Sequence, residues 1–500
     1  MDPQFKSKYR KYGEEQRYIP LGGFKVRLPF IHYRFELPEF AQGFILLAVA
    51  LSATAPIMEG LHLDSLLGGN AALAFQVAVV VVMINALGTL LHPTLGDPVI
   101  PGWITPAIPL TLAYLAQYGD DPVARLHAVR ALQYMICVVF VVLGVTGFAK
   151  KFISWVPISI RAGVLMGAAI VAVQSTIMPA ISRDVYTYVE LLGEYRYIPV
   201  VISGGRIVGY EISTLIGMAV TFLVLYSIHY RNASNKVGLL KKIGTYGLLP
   251  GMVVAMIVGM IIGELDVPRI SWGFTELPFG ETFRALSVFH NGFPPLEFFI
   301  NGIPLVIVAY VIAFGDIVTA EAIVKEADSV RPDEKVVMNP NKSHIILGIR
   351  NFAQATVAPF VPMSGPLWTG GMIATTERYK TGHKQMDSLY GGVFFYPFAK
   401  VVAISMAFFV SGLGPVLPVA MSITMIVTVW AAGYIAMQMV DNRENQGIAV
   451  LTGCAIAFQG AAIGLAVGLA CHVIIGVVRK KPGNKEQPKA TDQAQEDTEL

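Results

Sequence analysis

Charge is what this sequence has little of: 14% of its 500 residues are Asp, Glu, Lys or Arg, against roughly a quarter in soluble domains. So few charged groups cannot coat a water-exposed globule, which implies a lipid-facing surface. Cysteine is scarce too. Cys137, Cys454 and Cys471 all fall inside apolar runs, which excludes a disulfide framework and leaves small packing residues. Also missing are a Walker-type phosphate loop, His/Glu zinc spacing, a Ser-His-Asp pattern and a basic-aromatic surface for nucleic acid. The chain is therefore expected to be no enzyme and to hold no metal or cofactor. Residues 1–35 are hydrophilic and lack a central apolar run, so no cleavable signal peptide is expected. Residues 479–500 are charged and Gln-rich, and are expected to form a disordered tail with no regulatory domain.

Apolar residues make up the balance, 54% of the chain. They recur in stretches long enough to cross a bilayer core of about 30 Å. Seven segments are predicted in a first half (residues 36–262), at 40–58, 71–91, 98–115, 132–148, 157–177, 212–228 and 247–262. A polar external loop, 263–297, separates them from a second half (298–478), with segments at 298–325, 344–358, 359–376, 390–410, 415–439, 447–457 and 460–478. The last pair reads either as one long helix or as two short ones. An even count puts both termini on one side, and loops on that side carry Lys150, Lys151, Arg231, Lys236, Lys241, Lys242, Arg378 and Lys380. The positive-inside rule makes that side cytoplasmic, as expected for a multi-pass protein of an inner or plasma membrane. A β-hairpin turning at Gly204-Gly205 is predicted outside the membrane.

Two segments are damaged. The third reads "GDPVIPGWITPAIPLTLAYL" (Gly96 to Leu115) and the tenth "APFVPMSGPLWTGGMIATTERY" (Ala358 to Tyr379). Pro98, Pro101, Pro106 and Pro109 in one, and Pro359, Pro362, Pro366 and three glycines in the other, forbid continuous helices. Such breaks at matching places in two halves mark a binding site between inverted repeats. Non-helical chain at that depth must be packed in protein or line a cavity. A half-helix that starts there leaves its first N–H groups unpaired and carries partial positive charge, which suits an anion or carbonyl oxygens. Trp103, Ile104 and Thr105 precede one half-helix; Ser364, Trp368, Thr369 and Gly370 precede or open the other.

Ionisable residues inside apolar segments are costly and face a cavity or a partner. Asp316 lies past the middle of segment eight, with Thr319 on the same face, and is assigned to substrate contact or cation coupling. Glu321, on another face with Lys325 four residues on, reads either as a paired interfacial carboxylate or as a second coupling residue. Lys400, central in segment eleven, reads as a snorkelling or carboxylate-paired residue, or as a neutraliser of substrate charge. Arg350 in segment nine is expected to pair with a carboxylate or to snorkel.

"LSATAPI" in segment one, the two broken segments, "AFGDIVTAEA" in segment eight and "VDNRENQGIAVLTG" at Val440–Gly453, in this order, resemble the nucleobase–ascorbate (uracil permease-like) transporters and their sulfate permease and bicarbonate transporter relatives. The resemblance implies an all-α polytopic protein of fourteen segments in 7+7 inverted repeats. Segments 1–4 and 8–11 would form a substrate-carrying core, and segments 5–7 and 12–14 a gate through which members often dimerise, with elevator-like movement of the core. It places the substrate-contacting acid of segment eight at Asp316. A second acid usual at the segment-ten break is replaced by Trp368, a departure from the nucleobase pocket. The expected function is secondary active transport of a small planar or anionic solute: nucleobase symport with H⁺ or Na⁺, or alternatively transport of bicarbonate, sulfate or a carboxylate. The expected partners are that solute, the lipid bilayer and a second copy of the chain, with no nucleic acid.

Overall fold

A computed structural model describes residues 5–45, 47–181, 186–191, 194–199, 201–202, 206–207, 211–244 and 248–475. The expected tail, 479–500, lies outside the described residues. Helices dominate: α1 (Leu37–Ile45), α2 (Leu47–Leu51), α3 (Thr54–Gly60), α4 (Ala71–Thr89), α5 (Ile108–Ala116), α6 (Pro122–Thr146), α7 (Ala149–Trp155), α8 (Ile158–Ile181), α9 (Glu211–Tyr226) and α10 (Leu249–Ile262) in the first half. The second half holds α11 (Leu296–Val330), α12 (Pro340–Val357), α13 (Thr369–Lys380), α14 (Leu389–Ile404), α15 (Ala407–Leu413), α16 (Leu417–Met439) and α17 (Arg443–Ile475).

Several boundaries move for local reasons. Segment four begins ten residues earlier than expected, because Asp121 caps α6 by accepting from the N–H groups of Val123 and Ala124, and Pro122 occupies the first turn. Segment one, expected as a single span, is divided among α1, α2 and α3. The final pair is two helices: inside α17, Gly460 takes φ 84° and ψ 173°, a left-handed, extended conformation that glycine alone adopts readily. The external loop carries a helix at Phe279–Leu286. The predicted hairpin is present as the antiparallel pair Val201–Ile202 with Arg206–Ile207, and a longer unforeseen pair, Tyr186–Leu191 with Glu194–Pro199, precedes it; the turn at Gly204-Gly205 lies outside the described residues.

Among the described residues five helices are individually long and apolar enough to cross a membrane, and eight if three bent pairs count as single spans. Of the remainder, α5 and α13 are short because their segments are broken, and broken backbone is tolerated where other protein covers it.

The helices pack in two groups. On one side α6 lies against α11 and α12, and α14 against α1 and α4; on the other α8 lies against α16 and α17, and α9 against α10. Small residues allow the closest approach in the second group. A Cβ on Gly163 would come 2.5 Å from the Thr452 Cβ, and one on Gly453 would come 2.9 Å from the Met166 Cβ, the small-residue packing common between membrane helices.

The hydrophilic N-terminal segment is built into the first group. Arg10 is buried between Asp333 (2.7 Å) and Asp387 (3.2 Å), while Arg331 holds both oxygens of Asp333 at 2.6 and 2.7 Å. Burial alone would raise the Asp333 carboxyl; the hydrogen bonds and charges of Arg331 and Arg10 outweigh it and hold it below the usual range. Arg27 stacks 3.9 Å over the Tyr390 ring and Arg378 binds Glu36 and Glu39. Residues 5–36 thus tie down the ends of the helices that present the broken segments.

Candidate functional site at the crossing of the broken segments

The two damaged stretches meet. Residues before α5 and before α13 run extended and antiparallel, with Trp103 bridged to Ser364. Ile104 donates to the Met363 carbonyl (3.2 Å), Gly365 to Gly102 (3.0 Å) and Trp368 to Ile100 (2.7 Å). This pairing satisfies the donors and acceptors that the prolines took out of helical register. The contact needs glycine on both strands. A Cβ on Gly365 would lie 2.4 Å from the Trp103 carbonyl carbon, and one on Gly102 would lie 2.6 Å from the Leu367 oxygen. Gly365→Ala is therefore expected to force the strands apart and to lower the thermal unfolding temperature of the purified protein clearly. The matching change at Gly315, where nothing lies within 4 Å, should leave it within a degree or two.

A polar cluster behind the crossing fixes its geometry. Asn85 of α4 donates to Gln354 (3.0 Å) and Ser364 (3.1 Å) and accepts from the Trp103 indole N–H (3.1 Å). Asn351 exchanges two bonds with the Ser364 backbone, at 3.0 and 3.1 Å. Arg350 donates to the carbonyls of Gly365 (3.1 Å) and Gly102 (3.5 Å), one on each strand, and its NH1 lies 3.3 Å from His92 Nε2. Because a guanidinium only donates, Nε2 must accept, so Nδ1 carries the proton directed at Asp97 (2.7 Å). Arg350 thus neither snorkels nor meets a carboxylate directly; it reaches Asp97 through His92.

In front of the crossing a cavity of about 590 Å³ opens between the two helix groups. Trp103, Thr105, Asp316, Thr319, Trp368, Thr369 and Gly370 all line it. Ile104 and Ser364 do not: both are fully buried, Ser364 inside the polar cluster. Glu321 is elsewhere, in a smaller cleft beside Lys150 (3.9 Å) rather than paired with Lys325. Among the described residues no three His, Cys, Asp or Glu side chains gather into a metal-holding group.

The two half-helices are unequal as donors. Helix α13 has no side-chain cap, and its first internal bond runs from Met372 N–H to the Trp368 carbonyl. The N–H groups of Thr369, Gly370 and Gly371 are left for a guest. The segment-three end begins as a 3-10 turn at Thr105–Ala107 with Pro106 in it, so proline removes one of the donors expected there.

The cavity also gathers two basic side chains: Lys400, one of whose readings in the sequence is a neutraliser of substrate charge, and Arg161, which no sequence signal marks. Lys400 is 6% exposed, and its Nζ lies 4.6 Å from the centroid of the Trp368 ring, which packs edge-on against Tyr396 at 5.3 Å. No carboxylate lies within 4.0 Å of it among the described residues. From the other helix group come Arg161, Leu165, Tyr226, Leu248 and Val427. Arg161 opens segment five and reads in the sequence as an ordinary boundary cation; no periodicity signals its direction. The site therefore joins a helix N-terminus, two cations and one carboxylate, Asp316, in a mostly apolar chamber.

No protein-family model matches the chain, and none of the curated proteins does. Solved structures do. The transmembrane domain of a cyanobacterium bicarbonate transporter, BicA, aligns over 87% of this chain and 96% of its own at 14% identity, with a TM-score of 0.43. SLC26A9 aligns over 88% of this chain and 65% of its own at 13% identity, with a TM-score of 0.51. The murine Solute Carrier 26 family member A9 anion transporter, in the inward-facing state, aligns over 89% and 68% at 12% identity, with a TM-score of 0.52. The chain thus spans about two thirds of the SLC26A9 chains. At these identities the likeness is one of fold: an all-α polytopic membrane protein in two seven-segment inverted repeats, with the broken segments third in each.

Proposed function

We propose that this chain is a secondary transporter of a small organic or inorganic anion. The observation that carries the reading is Lys400. A basic side chain 6% exposed, with no carboxylate in ion-pair reach among the described residues, packs on the ring of Trp368, the residue that precedes the uncapped first turn of α13, and lines the same cavity as that turn. A lysine buried without a counter-charge is costly to hold charged; a bound anion offsets that cost and completes this site. That one fold neighbour is named an anion transporter agrees with it.

Asp316 is the coupling group in this reading. On the wall of the same cavity it repels an anionic guest unless it binds H⁺ or Na⁺, which ties guest and cation together without ATP. The two packing groups supply a core (segments 1–4 and 8–11) and a gate (segments 5–7 and 12–14) with the guest between, and an elevator-like shift of one against the other gives alternating access. Helix α17 exposes Phe458, Leu469, Val473 and Ile474, an apolar face for lipid or for a second gate in a homodimer. Both termini lie on the cytoplasmic side of the inner or plasma membrane.

A competition panel in proteoliposomes tests the reading. Uptake of labelled carboxylate, bicarbonate or sulfate, suppressed by excess of the same unlabelled anion and indifferent to uracil and xanthine, is expected. Uptake of labelled uracil or xanthine, blocked by excess base and insensitive to every anion, rejects it in favour of nucleobase symport.

A further inference from the structure

We infer that residues 28–38 form a foot seated in the headgroup–acyl boundary of the leaflet on the N-terminal side, with the bilayer interface as its partner; this rests on the multi-pass membrane assignment and not on the anion reading. The stretch "LPFIHYRFELP" (Leu28 to Pro38) closes the segment whose composition is hydrophilic, yet its outward side is apolar. Phe30 and Ile31 are each 64% exposed, Phe35 39% and Leu37 62%. The carboxylates beside them turn inward: Glu36 and Glu39 are buried, and Arg378 binds both. A segment facing water has the reverse arrangement. Apolar side chains outside and charges within suit a surface that meets lipid.

The backbone is shaped to hold this presentation. Phe30 takes φ 65°, a left-handed conformation that a bulky residue adopts only where its surroundings dictate it. Its N–H donates to the Tyr33 carbonyl (2.8 Å), the His32 N–H to the Leu28 carbonyl (3.0 Å) and the Leu28 N–H to His32 Nδ1 (2.9 Å). Tyr33, fully buried, pins the turn from within against the Phe394 ring at 5.8 Å. Strain that holds two apolar side chains outward points to a partner that receives them. The level of the turn follows from its neighbours. The Phe30 and Phe35 rings lie 5.6 and 4.7 Å from the ring of Phe395, in the second turn of α14. The bent helix pair that makes the first span begins at Leu37, so the exposed patch runs directly into the outer face of that span.

Spin-label accessibility in the full-length protein, reconstituted in liposomes, tests this. With Cys137, Cys454 and Cys471 replaced by alanine, a nitroxide is attached at Ile31→Cys and, for comparison, at Lys335→Cys, an exposed position between α11 and α12. Collisions are measured with oxygen, which concentrates in hydrocarbon, and with a water-soluble nickel chelate. The oxygen-to-nickel ratio at position 31 is expected to exceed that at position 335 at least about threefold, because interfacial segments bury their apolar face about 5–10 Å into the boundary. A ratio equal to that at position 335 puts the patch in water and overturns the inference. Low collision rates with both reagents, with spin–spin broadening that disappears on dilution with unlabelled protein, assign the patch to a second copy and overturn it as well. If the Ile31→Cys protein fails to fold, a label at Phe30→Cys, an equally exposed position, must show the same excess.

Discussion

Replacing Lys400 with methionine is expected to weaken anion uptake by about 100-fold or more while leaving the protein as thermally stable as before, or more so. The two outcomes share one cause. The ammonium, 6% exposed and without an ion-pair partner among the described residues, is a cost to the empty fold and an asset only when an anion arrives. Truncating one member of a buried charge pair typically costs about 2–5 kcal/mol of binding, which spans the stated factor at ~1.4 kcal/mol per tenfold. Methionine keeps the length and packs on Trp368 through its sulfur, so the crossing is undisturbed. Lys400→Arg should retain part of the uptake, because a guanidinium keeps the charge and stacks on an indole, with different geometry toward the anion. A Lys400→Met protein that transports like wild type removes the lysine from the site. One that fails to fold is read against the Arg variant, whose uptake must then lie well above background.

The second large effect is expected at Asp316. Asp316→Asn should collapse accumulation against a gradient to simple equilibration, with the internal-to-external ratio falling to about one and its dependence on pH or Na⁺ disappearing. Exchange of labelled for unlabelled guest should continue, because the asparagine is isosteric and the anion-binding end lies on other segments. The carboxylate lines the cavity from the middle of α11 with no hydrogen bond to another described group, so the substitution breaks no structural contact and folding should be unchanged. Wild-type accumulation with an unaltered cation dependence would show that coupling resides elsewhere. Loss of exchange together with accumulation would make Asp316 a binding group instead.

How much of this was legible in the sequence follows from what each residue's neighbours in the chain can reveal. Prolines act locally, so Pro98 to Pro109 and Pro359 to Pro366 announced both breaks before any fold was known. Trp103, Thr105, Trp368 and Thr369 followed because they flank those breaks. The direction of a side chain on an all-apolar helix is not local. Lys400 sits in a run buried on nearly every side, so no hydrophobic stripe told which way its stem points, and Arg161 resembled any cation at a membrane boundary. Ser364 was assigned to the guest because it precedes a half-helix. It turns inward instead, since Asn85, far away in the sequence, joins Asn351 and Gln354 of the preceding helix as its partners. Glu321 faces Lys150 because the turn into α7 brings that lysine beside α11, whereas helix periodicity pointed to Lys325. The inequality of the two half-helices was written in Pro106, which has no N–H to offer.

The most direct measurement is a density map of the full-length protein in nanodiscs, saturated with whichever anion it transports. Density for that anion within hydrogen-bonding distance of the Thr369, Gly370 or Gly371 amide nitrogens and of Lys400 Nζ is the expected result. An anion bound away from that end of the chamber, or a first turn of α13 closed by the protein's own groups with the guest absent from it, would contradict it.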